Sequence, residues 1–456
     1  MNSDSDDDLS WLVSERGQAA LADVEAAIAA WFTTPAGESE QHSSAQLPLA
    51  LVQQLHNSLQ HAGWNSEERA ALITQAELRR KATAKFPDAA GCLFFTPAGL
   101  QQATRSLVAR YHAHMFAQLG ARSVLDAGAG IGADSRAFAL AGLQVTAVEL
   151  DQQTAALLKA NLADFPHAQV IHADSLTVVA HTQFSPTDAI WMDPMRRDGG
   201  RRMMKPEQWI PPLSSALSVA GRAPISGIKV APGIAYADLP TDACVDWVSV
   251  NGDLVEAVIW RGPGITPGRR AIVLTDNAPK HQPIVVTADA SDPTQPPVLV
   301  PPRALDASLN DANRSVILDP DPAIIRSGAI SWVAQTFGLA PTSHKIAYLA
   351  GQQNAQSVLR LHAFGSLFDV LHISSIKPAE LRTLLRQEGS PDIEVLERGV
   401  NVDTAKFRKA LLAGTDRHQR TNNERLSVIL TPILGRRRAV IARRILRPIA
   451  GVTTRH

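Results

Sequence analysis

The stretch Val124-Leu125-Asp126-Ala127-Gly128-Ala129-Gly130-Ile131-Gly132-Ala133-Asp134 decides how this chain folds. An apolar run leads into glycines at alternate positions, and a helical pattern follows. A glycine-rich turn between a strand and a helix lets the backbone approach a nucleotide-like ligand, where side chains would collide with it. A dinucleotide fold wants G-x-G-x-x-G, whereas here the third glycine comes one residue early and Asp126 precedes the first. An acid at that place repels a pyrophosphate and can accept from the ammonium of an amino-acid ligand.

On either side of this turn, short apolar runs alternate with helical segments. Strands are expected at Ser123–Asp126, Val145–Glu149, Val170–His172, Ala189–Asp193 and Ser226–Val230, with helices at 132–141 and 152–163. Continuously apolar strands between helices predict a parallel, doubly wound sheet covered on both faces. Trp247–Val250, Val255–Trp260 and Ala271–Leu274 are too close together for helical crossovers and suggest an antiparallel edge.

Acids then fall at successive strand ends, where open α/β sheets bind their ligands. Glu149 follows Asp126 by 23 residues and can take both hydroxyls of a ribose. Asp174 follows the third strand and can accept from an adenine amino group, and Asp193 ends the fourth, where a substrate would meet a cofactor. Any one of them could be a helix cap or a turn residue. Four in order along one sheet edge point to a site.

Residues 123–275 resemble the class I S-adenosylmethionine-dependent methyltransferases. The resemblance implies that the loop with Asp126, Gly128, Gly130 and Gly132 holds the methionine part of S-adenosylmethionine, Glu149 its ribose and Asp174 its adenine, and that Asp193-Pro194 is the catalytic motif. The fuller chain is similar to bacterial methyltransferases with a C-terminal THUMP-like domain. That likeness rests on Phe94-Phe95-Thr96-Pro97-Ala98-Gly99-Leu100-Gln101-Gln102-Ala103-Thr104, on Asp193-Pro194-Met195-Arg196-Arg197 with Gly200-Arg201-Arg202, on Lys229-Val230-Ala231-Pro232-Gly233, and on Asp319-Pro320-Asp321-Pro322-Ala323-Ile324-Ile325-Arg326. THUMP domains bind structured RNA, chiefly tRNA, so the resemblance implies an RNA-modifying enzyme.

The acceptor is less legible. Methyltransferases acting on base amino groups use Asp/Asn-Pro-Pro-aromatic, and here Met195 and Arg196 stand at the last two places. A guanidinium can stack on a base, so a base remains a possible target. Methylation at a pyrimidine carbon needs a cysteine nucleophile. The strand ending Lys229-Val230-Ala231-Pro232 has none, and Cys244 lies fourteen residues beyond Val230 in a turn-like stretch. Arg196, Arg197, Arg201, Arg202 and Lys205 crowd one loop that contains a single acid, Asp198, which suits a phosphate clamp better than a balanced solvated loop. Lys229 could reach substrate or extend its ammonium to water.

The 456 residues carry 44 Lys+Arg and 44 Asp+Glu. That zero is a sum of unlike parts: residues 1–110 carry 8 basic and 13 acidic side chains (−5), 111–316 carry 16 and 20 (−4), and 317–456 carry 20 and 11 (+9). The basic tail includes Arg436-Arg437-Arg438 at an expected hairpin turn, followed by Arg443, Arg444 and Arg447, with no acid after Glu424. A charged edge strand would be the structural explanation, and polyanion binding the functional one.

Expected boundaries are 1–115 for a helical N-terminal region, 116–276 for the Rossmann-like methyltransferase sheet, 277–315 for a proline-rich linker and 316–456 for an α+β THUMP-like domain. Helices are expected at 9–32, at 47–61, at 66–86 with Ser66 as N-cap, and from Asp321 to about Phe337. The tail should add strands at 344–349, 357–362, 367–373 and 393–397, helices at Pro378–Gln387 and Asp403–Leu412, and a hairpin at 426–434 and 438–446. Two cysteines exclude a disulfide framework, and the histidine spacing offers no metal site. An acidic N-terminus and the lack of a bilayer-length apolar run suit a cytoplasmic protein. Two other functions fit the same residues: a methyltransferase for a small molecule or protein, and an RNA-binding protein that keeps the fold without turnover.

Overall fold

A computed structural model describes residues 9–34, 46–198, 201–276, 282–305, 314–389, 392–413 and 425–446. The chain divides into two compact units, Met1–Val230 with Ile259–Ile265, and Ala231–Val258 with Thr266–His456.

The first unit opens with a short 3-10 turn, Leu9–Val13, and helix α1, Glu15–Phe32. Ser14 separates them because its hydroxyl caps α1 by accepting from Gly17 N, so the expected helix over 9–32 is broken there. Helices α2 (Leu49–His61) and α3 (Ser66–Ala82) follow. The cap of α3 is Asn65, in a capping box with Glu68, and not the expected Ser66. Leu21, Val24, Leu51, Leu55 and Leu72 from these helices close a core that also takes in Leu157. A strap then runs through α4 (Pro97–Gln102, capped by Thr96) to α5 (Ser106–Gln118).

The sheet of this unit comprises β1 (Ser123–Ala127), β2 (Gln144–Glu149), β3 (Ala168–His172), β4 (Asp188–Met192) and β7 (Ile225–Val230). Its order is β7-β4-β1-β2-β3 and every pairing is parallel, as expected. Helices α6 (Ala133–Leu140), α7 (Gln152–Asn161), α8 (Ser175–His181) and α9 (Leu213–Ala220) alternate with the strands. A small antiparallel ribbon, β5 (Arg197–Asp198) with β6 (Arg201–Arg202), follows β4. The strand order reverses between β1 and β4, so the carboxyl ends of these strands flank the crevice where such sheets bind ligands. Beneath it His112, Phe116, Phe138, Trp191 and Trp260 pack ring against ring. Trp260 is thus a core residue, and Gly227 is required there: a Cβ would lie 2.6 Å from Trp260 and 2.8 Å from Trp191.

In the second unit, β8 (Cys244–Val250) turns through Asn251-Gly252, both with positive φ, into β9 (Asp253–Arg261), of which the residues from Ile259 onward count with the first unit. β10 (Gly268–Leu274) runs parallel to β8, which corrects the expected antiparallel edge, and β11 (Ile284–Thr287) pairs antiparallel with β10. The expected linker therefore contributes a strand. Its later residues are tied down by buried Arg269, which donates to Pro293 O and Gln295 O and stacks over Tyr236.

A mixed sheet completes this unit in the order β13-β14-β12-β15-β18-β17-β16. Its strands are β12 (Arg314–Pro320), β13 (Ala340–Pro341), β14 (Leu349–Gln353), β15 (Gly365–Ser374), β16 (Ile393–Glu397), β17 (Leu426–Ile433) and β18 (Arg436–Ile445). The single helix expected from Asp321 is two, α10 (Pro322–Ser327) and α11 (Ile330–Thr336), because Gly328 takes a left-handed conformation that ends the first. The expected strand at 357–362 is helix α12 (Ala355–Leu361), capped by Asn354. The strand expected at 344–349 begins only at Leu349. Helices α13 (Pro378–Gln387) and α14 (Thr404–Leu412) fall as expected, and Leu381, Leu385 and Leu411 join a core with Val428 and Ile441. No helix among the described residues is long and apolar enough to cross a membrane.

Candidate active site

Gly128, Gly130 and Gly132 all have positive φ, at 91°, 56° and 88°. L side chains resist that conformation, which explains the alternation of glycines. At Gly132 space forbids a side chain as well, since a Cβ would lie 2.5 Å from Leu158. At Gly128 and Gly130 a Cβ would meet no atom within 4 Å. The loop therefore presents open space on its outer side and tight packing where it enters α6.

Two acids brace this loop. Glu149 accepts from Gly130 N at 2.9 Å with one oxygen and from Asp151 N at 2.9 Å with the other. Asp126 is only 2% exposed and accepts from the Ser135 hydroxyl. Burial, reinforced by the charges of Asp134, Asp193 and Glu149, pushes the Asp126 carboxyl up to about 8, against the opposing Ser135 hydrogen bond. A cation placed above the loop would favour its ionised form. Asp174 caps α8 by accepting from Thr177 N at 2.7 Å, so the local explanation accounts for that residue while leaving it at the end of β3.

Asp193 lies just past β4 with its side chain 31% exposed and ion-paired to Lys229 Nζ. Lys229 sits on β7, is 4% exposed, and also donates to Thr104 Oγ1 at 3.2 Å. Lys229, expected from the sequence as a substrate-binding residue, is thus buried with its ammonium paired to Asp193. Thr104 in turn donates to Asp134 at 2.7 Å, and the other Asp134 oxygen accepts from His112 Nδ1 at 2.8 Å. Burial raises Asp134, but His112, Lys229 and Thr104 outweigh it and hold the carboxyl below its usual range.

Thr104, Asp134 and His112 carry no functional signal of their own in the sequence, although Thr104 closes the Phe94–Thr104 segment. Lys85 anchors that segment by donating to the carbonyls of Leu100, Gln101 and Ala103. Burial, with Arg105 and Lys229 nearby, brings the Lys85 ammonium down to about 8. Asn161 ties the other end, donating to Phe94 O and to Ile131 O of the glycine loop. The strap from Phe94 to Thr104 is thus tied through Asn161 to the glycine loop at one end and bonded to Lys229 at the other.

Pro194 is buried and Arg196 half-buried. Arg197 and Arg202 are register partners in the β5–β6 ribbon, and the side chains of Arg197, Arg201 and Arg202 lie outside the described residues, as does Gly200. Cys244 is buried in strand β8, not in a turn, and burial beside Asp246 pushes its thiol up to about 12. That thiol is unsuited to nucleophilic attack. Among the described residues no cluster of three His, Cys, Asp or Glu side chains could hold a metal.

In the second unit, Arg436 and Arg437 are exposed and Arg438 half-buried at the start of β18. The preceding turn, Leu434-Gly435, has positive φ at both residues and is clamped by Leu434 N donating to Thr342 O and Gly435 N to Ser343 Oγ. β18 lies between β15 and β17, but β15 pairs only with Ala439–Ile445, so Arg436, Arg437 and Arg438 have a neighbouring strand, β17, on one side alone. Arg444 differs from them, since it pairs with Glu394 at 3.0 Å and stacks over Phe368. Arg447 lies outside the described residues.

Residues 365–444 match the family model described as THUMP domain-like. The chain is 28% identical over 354 residues to an uncharacterised S-adenosylmethionine-dependent methyltransferase of Mycobacterium tuberculosis, in strains CDC 1551 / Oshkosh and ATCC 25618 / H37Rv alike. The match covers 75% of this chain and 88% of the relative. Among solved structures, a protein from Porphyromonas gingivalis W83 assigned to the methyltransferases superposes with a TM-score of 0.64 at 17% identity. That superposition covers 94% of this chain and 99% of the other, and shows a shared fold.

Proposed function

Given a chain that is a class I S-adenosylmethionine-dependent methyltransferase with a C-terminal THUMP-like domain, we propose that it methylates a base nitrogen in structured RNA, either tRNA or rRNA. The observation that carries the RNA reading is the clamped hairpin of the THUMP-like domain, with Arg436 and Arg437 exposed in a region of net charge +9. Such a surface suits phosphates. An RNA acceptor also implies work in the cytoplasm.

The residues fit the cofactor. The open side of the glycine loop leaves room for it, and buried Asp126 favours a cationic occupant. Gly128, Gly130 and Gly132 would admit the methionine part, with Glu149 at the ribose and Asp174 at the adenine. When bound, S-adenosylmethionine supplies an electrophilic sulfonium methyl.

The protein's own contribution is mainly positioning of an acceptor that is already nucleophilic. Asp193 accepts a hydrogen bond from the acceptor's N–H, and Lys229 holds its carboxylate in place. Pro194 stiffens the turn after β4. Arg196 and Arg197 orient the base or its phosphate, with Arg201 and Arg202 extending the cationic loop. The second unit's Arg436, Arg437 and Arg438 hold the RNA.

Mass spectrometry of nucleosides from a strain lacking the gene tests this. One methylated nucleoside should disappear from its RNA and return when purified protein and cofactor are added, while Asp193→Ala protein should restore at least about a hundredfold less. An unchanged nucleoside inventory, with labelled methyl arriving on protein or small molecules, would overturn the RNA reading.

A further inference from the structure

Three large apolar side chains stand exposed within a short stretch after Asp193: Met195 at 48%, Met204 at 77% and Ile210 at 54%. Solvent does not favour such a cluster, and concentrated exposure of this kind marks surfaces that become covered. Met195 and Ile210 exchange both backbone hydrogen bonds, at 2.8 and 3.0 Å. Residues paired in that way send their side chains to the same side of the ribbon. The β5–β6 register pairs Arg197 with Arg202, and Met203 N donates to Arg196 O. Met195 and Ile210 therefore share one face, and Met204 is the residue next to Met203 on the facing segment.

This face is held in place. Trp209 is buried at 2% exposure, and its indole N–H donates to Met203 O at 3.2 Å. Only Pro194 separates Met195 from Asp193, so the apolar face is continuous with the carboxylate proposed to meet the acceptor. Arg196 and Lys205 flank it in sequence, so a ligand covering it would meet cations at its margin. An occupant with an apolar, polarisable face, an N–H at its edge and a phosphate attached meets these conditions. That is a nucleotide. Methionine suits such a contact because its thioether is polarisable and adapts to a ring.

We infer that Met195, Met204 and Ile210 form the platform on which the acceptor base lies, replacing the aromatic residue that stacks the base in related amino-group enzymes. The inference rests on the reading that the acceptor is a base. It gives the departure at Met195 from an Asp-Pro-Pro-aromatic motif a function.

The test uses full-length protein labelled with 13C at its methionine methyls, S-adenosylhomocysteine, and the tRNA and rRNA pool of a strain lacking the gene. On adding RNA, the Met195 and Met204 methyl resonances should move upfield under the ring current of the base. The buried Met115 and Met192 should stay in place as internal references. In kinetics with the same RNA, a Met195→Ala/Ile210→Ala variant should lose about five- to tenfold in kcat/KM with unchanged affinity for S-adenosylhomocysteine, and Met195→Phe should retain activity. If RNA is methylated yet the two resonances do not move, or the double variant keeps its parent's kcat/KM, the platform is wrong while the RNA reading stands. If no RNA is methylated, both fall together.

Discussion

Lys229 lies one step beyond the Met192–Ile228 pair of β4 and β7, directly across from Asp193, and its ammonium is ion-paired with that carboxylate. Both strands contribute at their carboxyl ends, and Thr104 completes the arrangement by accepting from Lys229 and donating to Asp134. A buried ammonium is tolerated only when its partners are in place.

Thr104 is therefore expected to be a positioning residue. Thr104→Val keeps the shape but leaves Lys229 and Asp134 each short of a partner, at a cost of about 1–3 kcal/mol in stability. Its kcat should fall about tenfold or more with KM for S-adenosylmethionine little changed, and Thr104→Ser should restore most of the loss. Stopped-time methyl transfer and a thermal melt check this, and a Val variant with parental kcat removes the role.

Cofactor affinity should depend on pH through Asp126. Its carboxyl is raised to about 8 by burial, so the folded protein without ligand holds a proton that the unfolded chain has lost. Stability from this group is full below the unfolded value of 3.8 and is lost as pH climbs through about 8. A cationic ligand favours the ionised form, so binding should release a proton below that pH and tighten as pH rises towards it. Calorimetry in buffers of different ionisation heat measures the release, which Asp126→Asn should abolish. Affinity that stays flat from about pH 6 to about pH 9 would count against the coupling.

The glycines separate packing from ligand space. Gly227→Ala should lower stability by about 1–3 kcal/mol, because the added methyl meets Trp260 and Trp191 in a close-packed core. Gly130→Ala meets no neighbour but takes a side chain into a left-handed backbone, at about 1–2 kcal/mol. Only the second should weaken S-adenosylmethionine binding beyond what its melting temperature explains. Equal effects on affinity would show that the open space is not the cofactor's.

Arginines of the tail should fall into two classes. Replacing Arg436, Arg437 and Arg438 with alanine should weaken RNA binding and flatten its salt dependence by about 0.7 of a logarithmic unit for each phosphate that is no longer neutralised. Arg444→Ala should instead destabilise the fold, since it removes the Glu394 pair and the Phe368 stack. Filter binding across a salt series, beside a denaturation curve, distinguishes the two. An unaltered slope in the triple variant would remove the hairpin from the interface.

Legibility in the sequence followed the range of each interaction. The strands around Gly128–Gly132, the helix Pro378–Gln387 and the strand Ile393–Glu397 were readable because apolar periodicity and capping are local. The strand expected at 357–362 failed for a related reason: a short apolar run is ambiguous until the Asn354 cap is recognised. Cys244 and β10 were misplaced because strand direction depends on partners supplied from elsewhere.

By itself, then, the amino-acid order determined that a glycine loop would open a parallel sheet with acids at its strand ends, and that positive charge would gather in the last third. Tertiary structure alone decided that Lys229 turns inward to Asp193, that Thr104, 125 residues away in sequence, shares its ammonium, and that β18 lies inside a sheet. Backbone conformation and charge are carried by neighbouring residues. A buried ion pair exists only once separate strands have brought its partners together and water has been excluded around them.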